Sequence, residues 1–169
     1  MAARVPVEPE RPLPAIRHAI FFDVENTSRA EHLAHVLTRL GIDRQARRTE
    51  LYAVGNWRVI GADTARLLAR HGVQLVHSAP STGVRDWSDL RIAVSAGVWL
   101  AGARPGDLLE IVTDDRAFDA VGDVAAVLGV GFRRVSYRAL AGAGAHEEAA
   151  QPSGAEPARR GRRGRRGRP

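Results

Sequence analysis

The run His18-Ala-Ile-Phe-Phe-Asp23 decides the fold. Four consecutive apolar residues with no polar alternation are what a strand covered on both faces requires, and such strands belong to the middle of parallel sheets. The run closes on an acid, which is costly at the inner end of a buried strand unless the carboxylate serves a purpose. Working outward, Glu31 to Leu40 carries Leu33, Val36, Leu37 and Leu40 at helical spacing and stops at Gly41. Thr49 to Val54 reads as a second strand, Ala62 to His71 as a helix stopped by Gly72, and Val73 to His77 as a third strand. A loop containing Pro80 and Gly83 leads into a long helix from about Asp86 to Ala101. Leu108 to Thr113 is a fourth strand, Arg116 to Leu128 a helix, and Phe132 to Tyr137 a fifth strand.

Strands alternating with helices over short connections predict an α/β domain, three layers (αβα) around a five-stranded, mainly parallel sheet. Strand order 3-2-1-4-5 is the arrangement that places the first and fourth strands side by side. The domain is expected over residues 16–140, after a Pro-rich extension at 1–15 and before a Gly/Ala/Arg-rich tail at 141–169 that has too little to bury to offset the entropy of ordering. With 169 residues and 44% hydrophobic composition, one domain is the expectation.

Composition closes several functional classes. The chain has no cysteine, which excludes disulfides, thiolate zinc sites and cysteine nucleophiles. All 25 of its basic residues are arginine, so no mechanism can use a lysine. Seven of those arginines fall between Arg159 and Arg168, and without them the net charge of +6 becomes −1 for the rest of the chain. That basic tail is suited to sequence-independent contact with nucleic-acid phosphates, with an unselected extension as the bland alternative. The absence of an apolar leader or a run of about 20 apolar residues points to a cytoplasmic protein without a membrane span.

The chemistry lies where strands end in acids. In an open parallel sheet, ligands bind beyond the carboxyl ends of the strands, where the strand order reverses. Asp23 closes the first strand, and Asp114 and Asp115 follow the fourth. Asp86 and Asp89 open the long helix, which a right-handed crossover can bring to the same edge. Clustered carboxylates raise one another's pKa, and such a cluster commonly holds a cation; oxygen-only ligands suit Mg²⁺ or Mn²⁺. Bland readings stand beside these. Asp114 or Asp115 can simply cap a helix, and Asp86 and Asp89 have capping-box spacing. His18 and His71 show no paired ligand spacing, the pair His32 and His35 reads as surface histidines, and Trp99 reads as a core residue. Trp57 and Trp87 fall in predicted loops near the carboxyl edge, where a ring can stack on a base.

At these residues the sequence resembles the NYN domain family of the PIN-like ribonuclease superfamily. Phe-Phe-Asp23-Val-Glu25-Asn26 is similar to the family's opening strand and acid. Trp87-Ser-Asp89-Leu-Arg-Ile-Ala-Val is similar to its Asp at the head of a long helix, and Ile111-Val-Thr-Asp-Asp115-Arg-Ala-Phe118 to its Ser-Gly-Asp-Ser-Asp-Phe segment. Tyr52-Ala-Val-Gly-Asn56-Trp57 also resembles the family. The resemblance covers about His18 to Tyr137. It implies a PIN-like fold and a metal-dependent endoribonuclease with Asp23, Asp89 and Asp115 as catalytic and metal-binding carboxylates. Asp114 is a further candidate ligand. Asn26, Asn56, Trp57, Arg85, Trp87, Thr113 and Arg116 are candidate substrate contacts. RNA is the implied partner, Mg²⁺ or Mn²⁺ the implied cofactor, and a homodimer a further option. The chain departs from the pattern at Ser95 and Ala117, where the family has acids. Two alternatives remain open: an RNA-binding module with weak or no catalysis, and a phosphatase of the haloacid dehalogenase type. In the latter, Asp23-Val-Glu-Asn-Thr27 would supply Asp23 as nucleophile and Asp115 to Asp119 a later acidic motif.

Overall fold

The computed structural model describes residues 16–25, 29–42, 48–80, 84 and 86–140. Five strands and four helices alternate: β1 (Arg17–Asp23), α1 (Ala30–Arg39), β2 (Arg48–Gly55), α2 (Ala62–Arg70), β3 (Gln74–His77), α3 (Trp87–Ala101), β4 (Leu108–Val112), α4 (Asp119–Val127) and β5 (Gly131–Val135). A 3₁₀ turn at Arg116–Phe118 leads into α4. The strands form one sheet in the order β3-β2-β1-β4-β5, and every pairing is parallel. The sequence-based expectation of strand order and layering therefore holds, and the sheet is wholly parallel.

The two faces of β1 explain its unbroken apolar run. Ile20 and Phe22 join Leu51, Ala53 and Val112 on one face, packed with Leu33, Val36 and Leu37 of α1 and Leu68 of α2. Ala19 and Phe21 join Val54, Leu109 and Ile111 on the other, against Ile92, Ala96, Trp99 and Leu100 of α3 and Ala125 of α4. Each fully buried side chain of this size contributes about 1.5–3 kcal/mol, so β1, buried from both sides, is the spine of the domain. Gly41 and Gly72 end the first two helices in left-handed geometry, with φ of 53° and 66°, a conformation that costs glycine little.

Three local readings need correction. The fifth strand ends at Val135, and Tyr137 begins a helical turn over residues 137–140. Ser136 is the reason: its Oγ accepts from Ala139 N at 3.1 Å, so it caps that turn. The long helix begins at Trp87, which places this tryptophan in the helix and not in a loop. Asp86 is left-handed at φ 57° and makes no side-chain cap bond, so no capping box forms with Asp89. His18 takes part in an internal contact, its Nε2 lying 3.1 Å from Oε2 of the buried Glu110, which Arg133 also engages.

Candidate metal and nucleic-acid site

β1 hands the chain to its neighbours in opposite senses. The α1 connection leads to β2, on one side of β1, whereas the α3 connection arrives at β4 on the other. Beyond the carboxyl ends of β1 and β4 the loops therefore diverge and leave a crevice.

Asp23 ends β1 at this point and is fully buried. Its Oδ2 accepts from the Thr113 hydroxyl at 2.9 Å, and Thr113, also fully buried, follows directly after β4. The same Thr113 oxygen accepts from Asp115 N at 3.1 Å. One hydroxyl thus ties the first acid to the backbone of another that lies 92 residues along the chain. Tyr137 supports the arrangement from below, its buried hydroxyl donating to the Asp23 carbonyl at 3.2 Å. Burial and the negative charge of Asp23 and Asp114 push the Tyr137 phenol well above its usual value.

Asp89 occupies the first turn of α3 and is half-buried. Burial first, then the charges of Asp23, Asp115, Asp86 and Glu25, raise its carboxyl from 3.8 to about 6. Every one of those charged neighbours is an acid. The structure thus brings Asp23, Asp89 and Asp115 into one electrostatic neighbourhood, together with Glu25 and Asp86.

Glu25 has a second role. Its Oε1 accepts from Asn56 N at 3.0 Å and its Oε2 from Ser88 Oγ at 2.8 Å. It straps the end of β1 to the turn after β2 and to the start of α3, next to Asp89. Gly55 makes room for this strap, since a Cβ there would stand 2.7 Å from Val24 Cγ2 and 3.3 Å from Glu25 Cγ. Ser88 is buried and was invisible as a site residue in sequence, because nothing local distinguishes it from an exposed helix serine.

The remaining candidates divide. Asp115 caps the 3₁₀ turn, its Oδ1 accepting from Ala117 N at 2.8 Å, so it combines the structural and the electrostatic roles. Asp114 turns elsewhere: the Ser136 hydroxyl donates to its Oδ1, and Arg138 Nε lies 3.6 Å from its Oδ2. Asn56 shapes a turn, with its Oδ1 accepting from Arg58 N at 3.2 Å and its carbonyl from Val59 N and Ile60 N. Trp57 is half-buried against the core, its indole donating to the Val76 carbonyl at 2.9 Å. Trp87 and Arg116 are exposed. Asn26, Thr27 and Arg85 lie outside the described residues, as do both terminal extensions.

The donor set is all oxygen and strongly anionic, which fits a hard divalent cation in charge and ligand type. Among the described residues, no group of three or more His, Cys, Asp and Glu side chains stands close enough to hold an ion. Among those residues no helix is long and apolar enough to cross a membrane. No protein-family model matches the chain, and a search of curated proteins finds no match.

Proposed function

We propose that the chain is a metal-dependent endoribonuclease acting through Asp23, Asp89 and Asp115. The observation that supports this reading is the raised carboxyl of Asp89, held among four other acids at the crevice between β1 and β4. Glu25 and Asp115 also hold the local structure together, but Asp89 makes no cap bond that would account for its place among them.

In this reading Thr113 fixes Asp23, and the Glu25–Ser88 strap fixes the turn of α3 that carries Asp89. Asp115 is held in place by the cap to Ala117 N. Mg²⁺ or Mn²⁺ bound by these carboxylates would polarise the scissile phosphate and lower the pKa of an attacking water. The exposed Arg116 stands next to Asp115 in sequence and is suited to a phosphate, and the arginines of 159–168 would add salt-dependent affinity for RNA.

The test is cleavage of single-stranded RNA with Mn²⁺ by wild type and by Asp23→Asn. The expected result is turnover by wild type, abolished by chelator, and a loss of at least about 100-fold in the variant. Equal cleavage by the two proteins rejects the assignment. A second reading, an RNA-binding module without turnover, is favoured by Ser95 and Ala117 in place of acids and by carboxylates that do not close on an ion as they stand. It predicts RNA binding with a steep salt slope and no product. For the phosphatase alternative no observation speaks: Glu25 stands where that motif has a second Asp, and the chain has no lysine.

A further inference from the structure

The turn that follows β2 spends two consecutive backbone amides on side chains from the neighbouring strands. Asn56 N donates to Glu25 Oε1 at 3.0 Å, and Trp57 N donates at 3.3 Å to Nδ1 of His77, the last residue of β3. A backbone amide can only donate, so the second bond fixes the tautomer of the imidazole: Nδ1 supplies the lone pair, and the proton of the neutral ring sits on Nε2. His77 is exposed, and that Nε2 has no partner among the described residues. Trp57 grips the same strand a second time through its indole, which donates to the Val76 carbonyl at 2.9 Å. The polar edge of the tryptophan is thereby used inside the protein, and the donor left facing outward is the imidazole N–H.

The sheet register places this donor relative to the acids. Asp23 pairs with Val54, and the next residue, Gly55, pairs with His77, so the imidazole stands at the height of the carboxyl end of β1, two strands away. Two strand spacings of about 4.8 Å set it about 10 Å from β1, on the side away from β4. Glu25 belongs to the acidic neighbourhood of Asp89 and bonds the same turn, so the acids and the imidazole share one rim. Arg58 follows Trp57 in this turn. Its backbone amide donates to Asn56 Oδ1 at 3.2 Å, while its side chain is exposed and has no ion pair among the described residues. The carboxyl edge is thus divided, with acids around β1, β4 and the head of α3, and a fixed donor beside a free cation beyond β2 and β3.

A phosphodiester oxygen only accepts hydrogen bonds, and a guanidinium and an imidazole N–H only donate them, so the two sides match in charge and in donor count. Contacts of this kind fix the register of a strand on a protein without reading its sequence. We infer that His77 and Arg58 form a second substrate subsite, which holds a phosphate of the RNA strand about three nucleotides from the one at the carboxylates, taking about 3.4 Å per stacked nucleotide. The inference takes its substrate from the nuclease reading, but its contacts involve none of the proposed metal-binding carboxylates. It also gives the Trp57–His77 bond a purpose beyond satisfying one amide: the bond aims the imidazole.

The experiment is binding of a fluorescent single-stranded RNA of about 12 nucleotides to the full chain, in chelator so that no cleavage competes, over a range of salt. His77→Asn keeps an acceptor, Oδ1, for the Trp57 amide and lacks the outer N–H. It should bind about 5-fold more weakly with its melting temperature and salt dependence unchanged, because a neutral donor releases no counterion. Arg58→Gln should bind about 10-fold more weakly and flatten the slope of log affinity against log salt by about 0.7. With Mn²⁺ present, both variants should raise KM and leave kcat as it is, and only for strands that extend about three nucleotides or more from the cut. A folded His77→Asn that binds as tightly as wild type would reduce the imidazole to a prop for the turn and overturn the proposal. So would an unchanged salt slope in Arg58→Gln, or a wild type that binds no RNA. If the chain is no nuclease, the wild type gives no product while both binding losses remain.

Discussion

Replacing Asp89 by asparagine should make the protein more stable and less active at once. An acid whose carboxyl is raised on folding favours the protonated folded state. Its stabilising contribution is complete below the unfolded value of 3.8 and is lost as pH rises through about 6. A rise from 3.8 to about 6 corresponds to a ceiling of about 3 kcal/mol of destabilisation at neutral pH. Asp89 is only half-buried, so solvent screening reduces this to about 1 kcal/mol. The isosteric amide removes the charge and keeps the shape. In chelator, Asp89→Asn should therefore melt about 3–5 °C higher than wild type above pH 6, and the gap should close towards pH 4. Adding Mn²⁺ should raise the wild-type melting temperature and leave the variant where it was, because the ligand binds only the folded state that keeps its carboxylates. Thermal melts across pH, with and without Mn²⁺, measure both effects. A variant less stable than wild type at pH 7, or a gain independent of pH, would refute the claim that burial and acidic neighbours together set the state of Asp89.

Other perturbations test the surrounding architecture. Gly55→Ala drives a Cβ to 2.7 Å from Val24 and 2.8 Å from Ile60, so it should cost about 1–3 kcal/mol in urea denaturation and lower RNA cleavage by displacing Glu25. Glu110 is held below its ordinary range, despite its burial, by bonds to His18 and Arg133. Its contribution is present above the unfolded value of 4.5 and lost as pH falls through the lower folded value, so Glu110→Gln should cost about 1–2 kcal/mol at pH 7 and progressively less in acid. Removing Arg159 to Pro169 should weaken RNA binding at low salt and flatten the dependence of log affinity on log salt by up to about 5, given about 0.7 per phosphate contact on single strands. An unchanged slope would show that the seven arginines touch no phosphate.

What sequence made legible follows from which interactions are local. β1 could be read because burial on both faces leaves an unbroken apolar signature, and α1 and α2 because Gly41 and Gly72 mark left-handed stops. The acids could be gathered on paper because parallel topology carries Asp23 and Asp115 to the same edge. The supporting bonds could not. Glu25 reaches Ser88 across 63 residues, and Tyr137 reaches Asp23 across 114; neither leaves a periodic trace. Asp114 and Asp115 are indistinguishable by composition, and only the turn separates them, sending one towards Ser136 and the other towards Asp89. The capping-box spacing of Asp86 and Asp89 misled for a similar reason, since Asp86 has a left-handed backbone and makes no side-chain cap bond.

The distribution of charge bears on why such a cluster persists. Outside the tail the chain is nearly neutral and rich in arginine, so partners for acids are plentiful. Among the described residues, five of them pair elsewhere: Arg17 with Glu50, Arg66 with Asp63, Arg133 with Glu110, Arg134 with Asp119 and Arg138 with Asp114. Around Asp89 the charges that shift its carboxyl are all negative. In the proposed reading, this repulsion at the edge where the strand order reverses marks a site whose balancing charge is a bound cation. A divalent cation would fill the role proposed here, because it neutralises several carboxylates at once and leaves coordination positions for phosphate.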